Sequence, residues 1–134
     1  MSRKVARENT FKLIFQVSIQ KEDKQEQLNI YIQNNEIEDA EVIKYIKDTF
    51  NGVIENEEEI IKLIKDNIKK EWKIERISKV DISILRLAIY ELKYTELPYK
   101  VVINEAVELS KEYGDESSQS FVNGILASVV KECV

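Results

Sequence analysis

Apolar residues recur along this chain at spacings of three and four, the repeat of one helix face, in segment after segment. Ala6, Thr10, Leu13 and Val17 form one stripe, widened by Phe11, Ile14 and Phe15, and predict a helix over residues 3–19. The polar run KEDKQEQ ends it and opens a short second helix carrying Leu28, Tyr31 and Ile32. After the break NNEIED, a third helix starts near Asp39 and buries Val42, Ile43, Ile46, Phe50 and Val53, with Gly52 an unfavourable residue inside it. Asn56 followed by Glu57, Glu58 and Glu59 reads as a helix start, because asparagine caps well and acids suit the positive end of the dipole. That fourth helix has the stripe Ile60, Ile61, Ile64 and Ile68 and a basic end of Lys65, Lys69 and Lys70. Trp72, in the connection that follows, is expected to plug an edge of the core.

The fifth segment, over residues 80–94, differs. Ile82, Ile84, Leu85, Leu87, Ala88, Ile89, Tyr90 and Leu92 leave it almost no polar face, so it belongs at the centre of a bundle. Ser78 with Asp81 three residues on predicts its cap. Pro98 precedes a sixth helix with Val102, Ile103, Ala106, Val107 and Leu109 inward, and Gly114 is placed as a left-handed terminating residue. DESSQS caps a seventh helix with the stripe Phe121, Val122, Ile125, Leu126, Val129 and Val130. The fold class is all-α: a compact bundle of about seven helices around a central buried one, in a single domain over residues 1–134.

Composition narrows the picture. Three glycines and one proline leave little room for turn-rich β architecture. No apolar run approaches the roughly 18 residues that span a bilayer, and the basic N-terminus lacks the apolar stretch of a secretory signal. With a single cysteine, Cys133, a cytoplasmic location is expected. The net charge of −5 argues against general polyanion binding. The first 20 residues nevertheless carry a net +3 from Arg3, Lys4, Arg7 and Lys12 against Glu8.

Catalytic chemistry is scarce. The chain has no histidine, no Walker loop and no CxxC, and Cys133 has no imidazole to activate it. Consecutive acids such as Glu57 to Glu59 fan around a helix rather than converge on a metal. No enzyme activity, cofactor or metal is expected. Binding is better supported. Arg3 and Arg7, four apart on one helix, share a face at its positive end and can hold phosphates. Phe121, Tyr99 and Tyr113 could stack on bases or sit in the core; Asn123 and Gln119 could read base edges or cap a turn.

Three strings then acquire meaning together: ARENTFKLIF at 6–15, VDISILRLAIYEL at 80–92, and PYKVVINEAVELSKEYGDESSQSFVNGIL at 98–126. In this order they resemble the signature of the NusB transcription antitermination family. The resemblance implies an all-helical bundle of two subdomains, here about 1–70 and 71–134. It implies binding of the boxA element of ribosomal RNA transcripts together with NusE, a small-subunit ribosomal protein, within an RNA polymerase antitermination complex containing other Nus factors. It assigns RNA contact to Arg3, Lys4, Arg7, Ser117, Ser120, Phe121 and Asn123, and NusE contact to Phe15, Asp81 and Arg86. It admits both monomer and homodimer. Where family members often have a basic residue before the FVNG phenylalanine, this chain has Ser120, and Phe15 stands where a tyrosine is usual. Two other readings remain: a protein–protein adaptor without RNA binding, and the RNA-binding domain of a ribosomal RNA cytosine methyltransferase.

Overall fold

The computed structural model describes residues 2–69 and 73–133. Among these it forms α1 (Arg3–Ile19), α2 (Lys24–Asn34), α3 (Ala40–Glu55), α4 (Glu57–Asn67), a 3₁₀ turn at Ile74–Arg76, α5 (Lys79–Tyr94), α6 (Tyr99–Tyr113) and α7 (Ser118–Cys133), with no strand. The all-α bundle read from periodicity is the observed fold. The expectations for Lys70 and Trp72 lie outside the described residues.

Side-chain caps set most helix starts. Ser2 Oγ accepts from the Val5 amide, Asp23 from Glu26, Asp39 from Glu41 and Val42, and Ser78 from Asp81. Each cap satisfies donors that a helix start otherwise leaves orphaned. Two terminal assignments differ from expectation. Asn56 occupies the cap position of α4, but its Nδ2 donates 2.8 Å to the Gly52 carbonyl, so it closes α3 instead. Gly114 ends α6 at φ −91°, ψ −172°, which is extended rather than left-handed. What requires glycine there is space: an added Cβ would lie 2.4 Å from Ser118 Oγ.

α5 is the axle. It packs against α1, α3, α4, α6 and α7, and its Ile84, Leu85, Leu87, Ala88 and Ile89 are all fully buried. A helix apolar on nearly every side can satisfy itself only by being surrounded. α4 turns Leu63 inward with Ile60 and Ile64, while Ile61 and Ile68 are half-buried at its rim. The glycine inside α3 has a packing reason. A Cβ on Gly52 would fall 2.3 Å from Tyr90 Cε1, so the Tyr90 ring of α5 lies directly on the α3 backbone. No helix among the described residues is long and apolar enough to cross a membrane.

Candidate nucleic-acid interface

The start of α1 keeps part of its expected geometry. Arg3 and Lys4 are exposed in its first turn, which holds no acidic residue, at the positive end of the helix dipole. Arg7 does not join them. It points into the bundle, only 2% exposed, and its Nη2 forms an ion pair with Glu91 of α5. Its Nη1 lies 3.5 Å from Glu105 of α6. The Tyr45 hydroxyl donates 2.9 Å to the other Glu91 oxygen. Burial pushes the Glu91 carboxyl up, against the pull of Arg7 and Tyr45, and burial together with Glu91 raises the Tyr45 hydroxyl. Arg7 was expected on the exposed basic start, but the structure places it inside: one turn carries it to the apolar stripe, where the buried Glu91 and the half-buried Glu105 hold it.

The start of α7 is built by its own polar residues. Asp115 Oδ1 accepts from the Ser117 amide at 2.9 Å and the Ser117 hydroxyl at 2.8 Å. Ser118 Oγ accepts from the Asp115 amide at 3.0 Å. The bonds its carboxylate accepts from Ser117, and from the Ser118 hydroxyl, hold the Asp115 carboxyl below the usual carboxylate range. Ser117 and Ser120 are exposed and Phe121 is half-buried. A groove of about 770 Å³ runs beside this helix, with Ser117, Ser120, Phe121 and Gly124 on one wall and Lys69, Lys73 and Arg76 on the other. A second groove, of about 640 Å³, separates α6 from α7 and is lined by Tyr99, Lys100, Asn104, Gln119, Ser120 and Asn123. Ser120 borders both. The Arg7–Glu105 contact ties the start of α1 to α6 beside Asn104, so the basic start and the α6–α7 groove belong to one region.

The residues expected to meet a protein partner are dispersed. Phe15 is half-buried on α1 with its ring centroid 6.5 Å from that of Phe11. Asp81 and Arg86 are each 6% exposed. Arg86 Nη2 reaches Glu57 in the first turn of α4 at 3.0 Å, and burial lowers its pKa. That guanidinium pins α4 to α5 rather than presenting itself outward. Asp81 lies over the larger groove, and burial pushes its carboxyl up, opposed by Ser118 and Ser78. Its Oδ1 is buried and has no hydrogen-bond donor among the described residues.

Tyr113 proves to be a core-edge ring, 5.1 Å from Phe11, whereas Tyr99 is 40% exposed on the α6–α7 groove. Sequence reading did not single out Lys73, Arg76 or Gly124, which also line the larger groove. Lys73 and Arg76 fall where no helical period exists to assign them a face, and only the 3₁₀ turn sets them on the groove. Gly124, an interior helix glycine, was a visible signal that had no stated use.

Comparison with known proteins fits this geometry. The profile described as the NusB family matches residues 4–131. The transcription antitermination protein NusB of Acetivibrio thermocellus is 48% identical over 132 residues, covering 98% of this chain and 90% of that protein. That of Clostridium novyi is 42% identical over 134 residues, covering 98% and 99%. Among solved structures, T. maritima NusB superposes with a TM-score of 0.90 at 36% identity, covering 98% of this chain and 92% of that one. A chain from a crystal structure of antitermination factors NusB and NusE in complex with dsRNA gives 0.89 at 27%, covering 97% and 96%. Matched over nearly its whole length by sequence and by fold, the chain belongs to the NusB family.

Proposed function

We propose that this protein is a transcription antitermination factor that binds boxA RNA of ribosomal RNA transcripts together with NusE, within an RNA polymerase antitermination complex containing other Nus factors. The observation that carries this reading is the α7 rim: exposed Ser117 and Ser120 and the half-buried Phe121 face Lys69, Lys73 and Arg76 across one groove. Stacking surface beside cations is what unpaired RNA requires. Relatives named as NusB, and a relative solved with NusE and dsRNA, support the same reading. Arg3 and Lys4 supply phosphate contacts at the start of α1, and Asn123 reaches the RNA from the α6–α7 groove. Arg7 acts indirectly, by seating α1. NusE meets Phe15 and the end of α5 that bears Asp81, with Arg86 holding α4 in place behind it. The role involves no catalytic step, in keeping with a chain that has no histidine, and it is exercised in the cytoplasm, where transcripts are made.

The test is an anisotropy titration of labelled boxA-type single-stranded RNA, with and without NusE, at two salt concentrations. Preference for boxA over a scrambled RNA, salt sensitivity and tightening by NusE are the expected results. Equal binding of both RNAs with NusE present overturns the reading.

A further inference from the structure

The start of α1 stands clear of the bundle. Ser2, Arg3, Lys4 and Val5 are all exposed. The bonds that order this turn are its own: the Ser2 cap to the Val5 amide, and Asn9 Nδ2 to the Val5 carbonyl at 3.0 Å. Helix ends held mainly by such bonds open at little cost. Ala6 and Arg7 are the first residues of α1 turned inward. Ala6 has no side chain beyond Cβ, so a tether from this end to a distant helix falls to Arg7.

Arg7 reaches two helices. Glu91 of α5 takes Nη2 and is itself buried, whereas Glu105 of α6 faces Nη1 at 3.5 Å with its side chain 28% exposed. The two carboxylates differ in role. Glu91 neutralises a charge that the fold has buried. Glu105 is not needed for that, and a pair this open to water adds little stability. What Glu105 supplies is direction. α1 meets α6 at a second place, where the Phe11 ring lies 5.1 Å from that of Tyr113 and Lys12 Nζ stands 5.7 Å from the same ring's centroid. That place is about one turn further along α1 and about two turns further along α6. One tie between two helices leaves an angle free; a second tie fixes it. Burial raises the Glu91 carboxyl, and Arg3 joins Arg7 and Tyr45 in opposing that, so the basic start lies within electrostatic reach of the node.

We infer that Glu105 is a positioning residue for RNA: through Arg7 it sets the angle of the α1 start, and with it Arg3 and Lys4, against the α6–α7 groove that adjoins it at Asn104. The inference rests on the RNA-binding reading above and goes beyond it, since an anion cannot itself hold a phosphate. On charge alone, a carboxylate near RNA repels it, and removing one should tighten binding. A carboxylate that positions the cations makes the opposite prediction.

The experiment compares wild type, Glu105→Gln and Glu108→Gln by thermal melting, by amide hydrogen exchange of the free protein, and by anisotropy with labelled boxA-type and scrambled RNAs at two salt concentrations. Glu108 is the control, a carboxylate on the same helix that pairs with Lys111 of that helix at 3.3 Å. Glu105→Gln should melt within about 4 °C of wild type. Its Ala6 and Arg7 amides should exchange several-fold faster. It should bind boxA RNA about fivefold more weakly, the scale of ordering one long side chain on binding. Its salt slope should match wild type, because no phosphate contact is lost. Glu108→Gln should exchange as wild type does and bind RNA no more weakly. Wild-type or tighter RNA binding by Glu105→Gln overturns the inference, as does unchanged exchange at Ala6 and Arg7 or an equal loss in Glu108→Gln. A larger fall in Tm makes Glu105 a stability residue and overturns it too. If wild type binds boxA and scrambled RNA alike, the antitermination reading fails, while the positioning role is still judged by exchange and by loss of affinity for both RNAs. Absence of all RNA binding overturns both.

Discussion

Arg7 on α1 and Glu91 on α5 stand 84 residues apart in sequence and meet as an ion pair whose side chains are 3% and 1% exposed. Tyr45 of α3 and Glu105 of α6 complete the node, so one buried charge pair ties four helices together. Such pairs add little over an apolar replacement, but removing one partner strands the other charge without water. Arg7→Ala should therefore destabilise the fold by about 3–5 kcal/mol. Denaturant unfolding measures this. A loss under 1 kcal/mol would mean that Glu91 is not ionised in the folded protein.

Arg3 is the contrasting case. It lies one turn earlier on the same helix and is exposed. Arg3→Ala should leave stability unchanged within about 0.5 kcal/mol. It should weaken RNA binding and flatten the salt slope by about 0.7. The two arginines thus separate by readout: one moves the unfolding midpoint, the other the RNA titration. If Arg3→Ala leaves both affinity and salt slope at wild-type values, the start of α1 is not an RNA contact.

This pair also marks what periodicity could and could not deliver. Helix count, the buried central helix and most caps were legible because each depends on residues within a turn or two of one another. The fate of Arg7 was not. Its four-residue spacing from Arg3 put both on one face, but that face is also four residues from Phe11, and only the packing of α5 against α1 decides that position 7 is inside. A buried arginine is foreseen only if its carboxylate is, and Glu91 sits in a helix that otherwise reads as wholly apolar. Asp81 and Arg86 failed to advertise their burial for the same reason. Lys73 and Arg76 were invisible in another way, since a 3₁₀ turn of three residues has no period to read.

Gly52→Ala tests how tightly α3 and α5 are fitted. Alanine is the better helix former by up to about 1 kcal/mol. Here its Cβ would land 2.3 to 2.5 Å from three atoms of the Tyr90 ring, end included. That ring also stacks 5.5 Å from Tyr94, so it gives way only with its neighbour. Overpacking should win, with a net loss of about 1–3 kcal/mol. In a double-mutant cycle with Tyr90→Ala, most of the loss should disappear, because the obstacle is gone. Simple additivity would place the strain elsewhere.

Asp81→Asn sets two effects of one carboxylate against each other. An acid in the first turn of a helix gains about 0.3–1 kcal/mol from the dipole. A buried acceptor without a donor costs about 1–3 kcal/mol. Asp81 is both, and burial dominates: its folded pKa lies above the ordinary value. For a carboxyl raised in this way, the protonated form is the one the fold prefers. Its contribution is fully present below the unfolded value of about 3.9 and is lost as pH rises through the folded pKa. Asparagine stays neutral throughout. Asp81→Asn should therefore be more stable than wild type at neutral pH, by about 1 kcal/mol, and the gap should close as pH falls toward about 4. Melting curves at the two pH values measure it. A variant less stable than wild type at neutral pH would mean the dipole wins. On the proposal that NusE meets the end of α5 that bears Asp81, the carboxylate has a use outside the fold. The same variant should accordingly bind the NusE–RNA pair more weakly even as it melts higher.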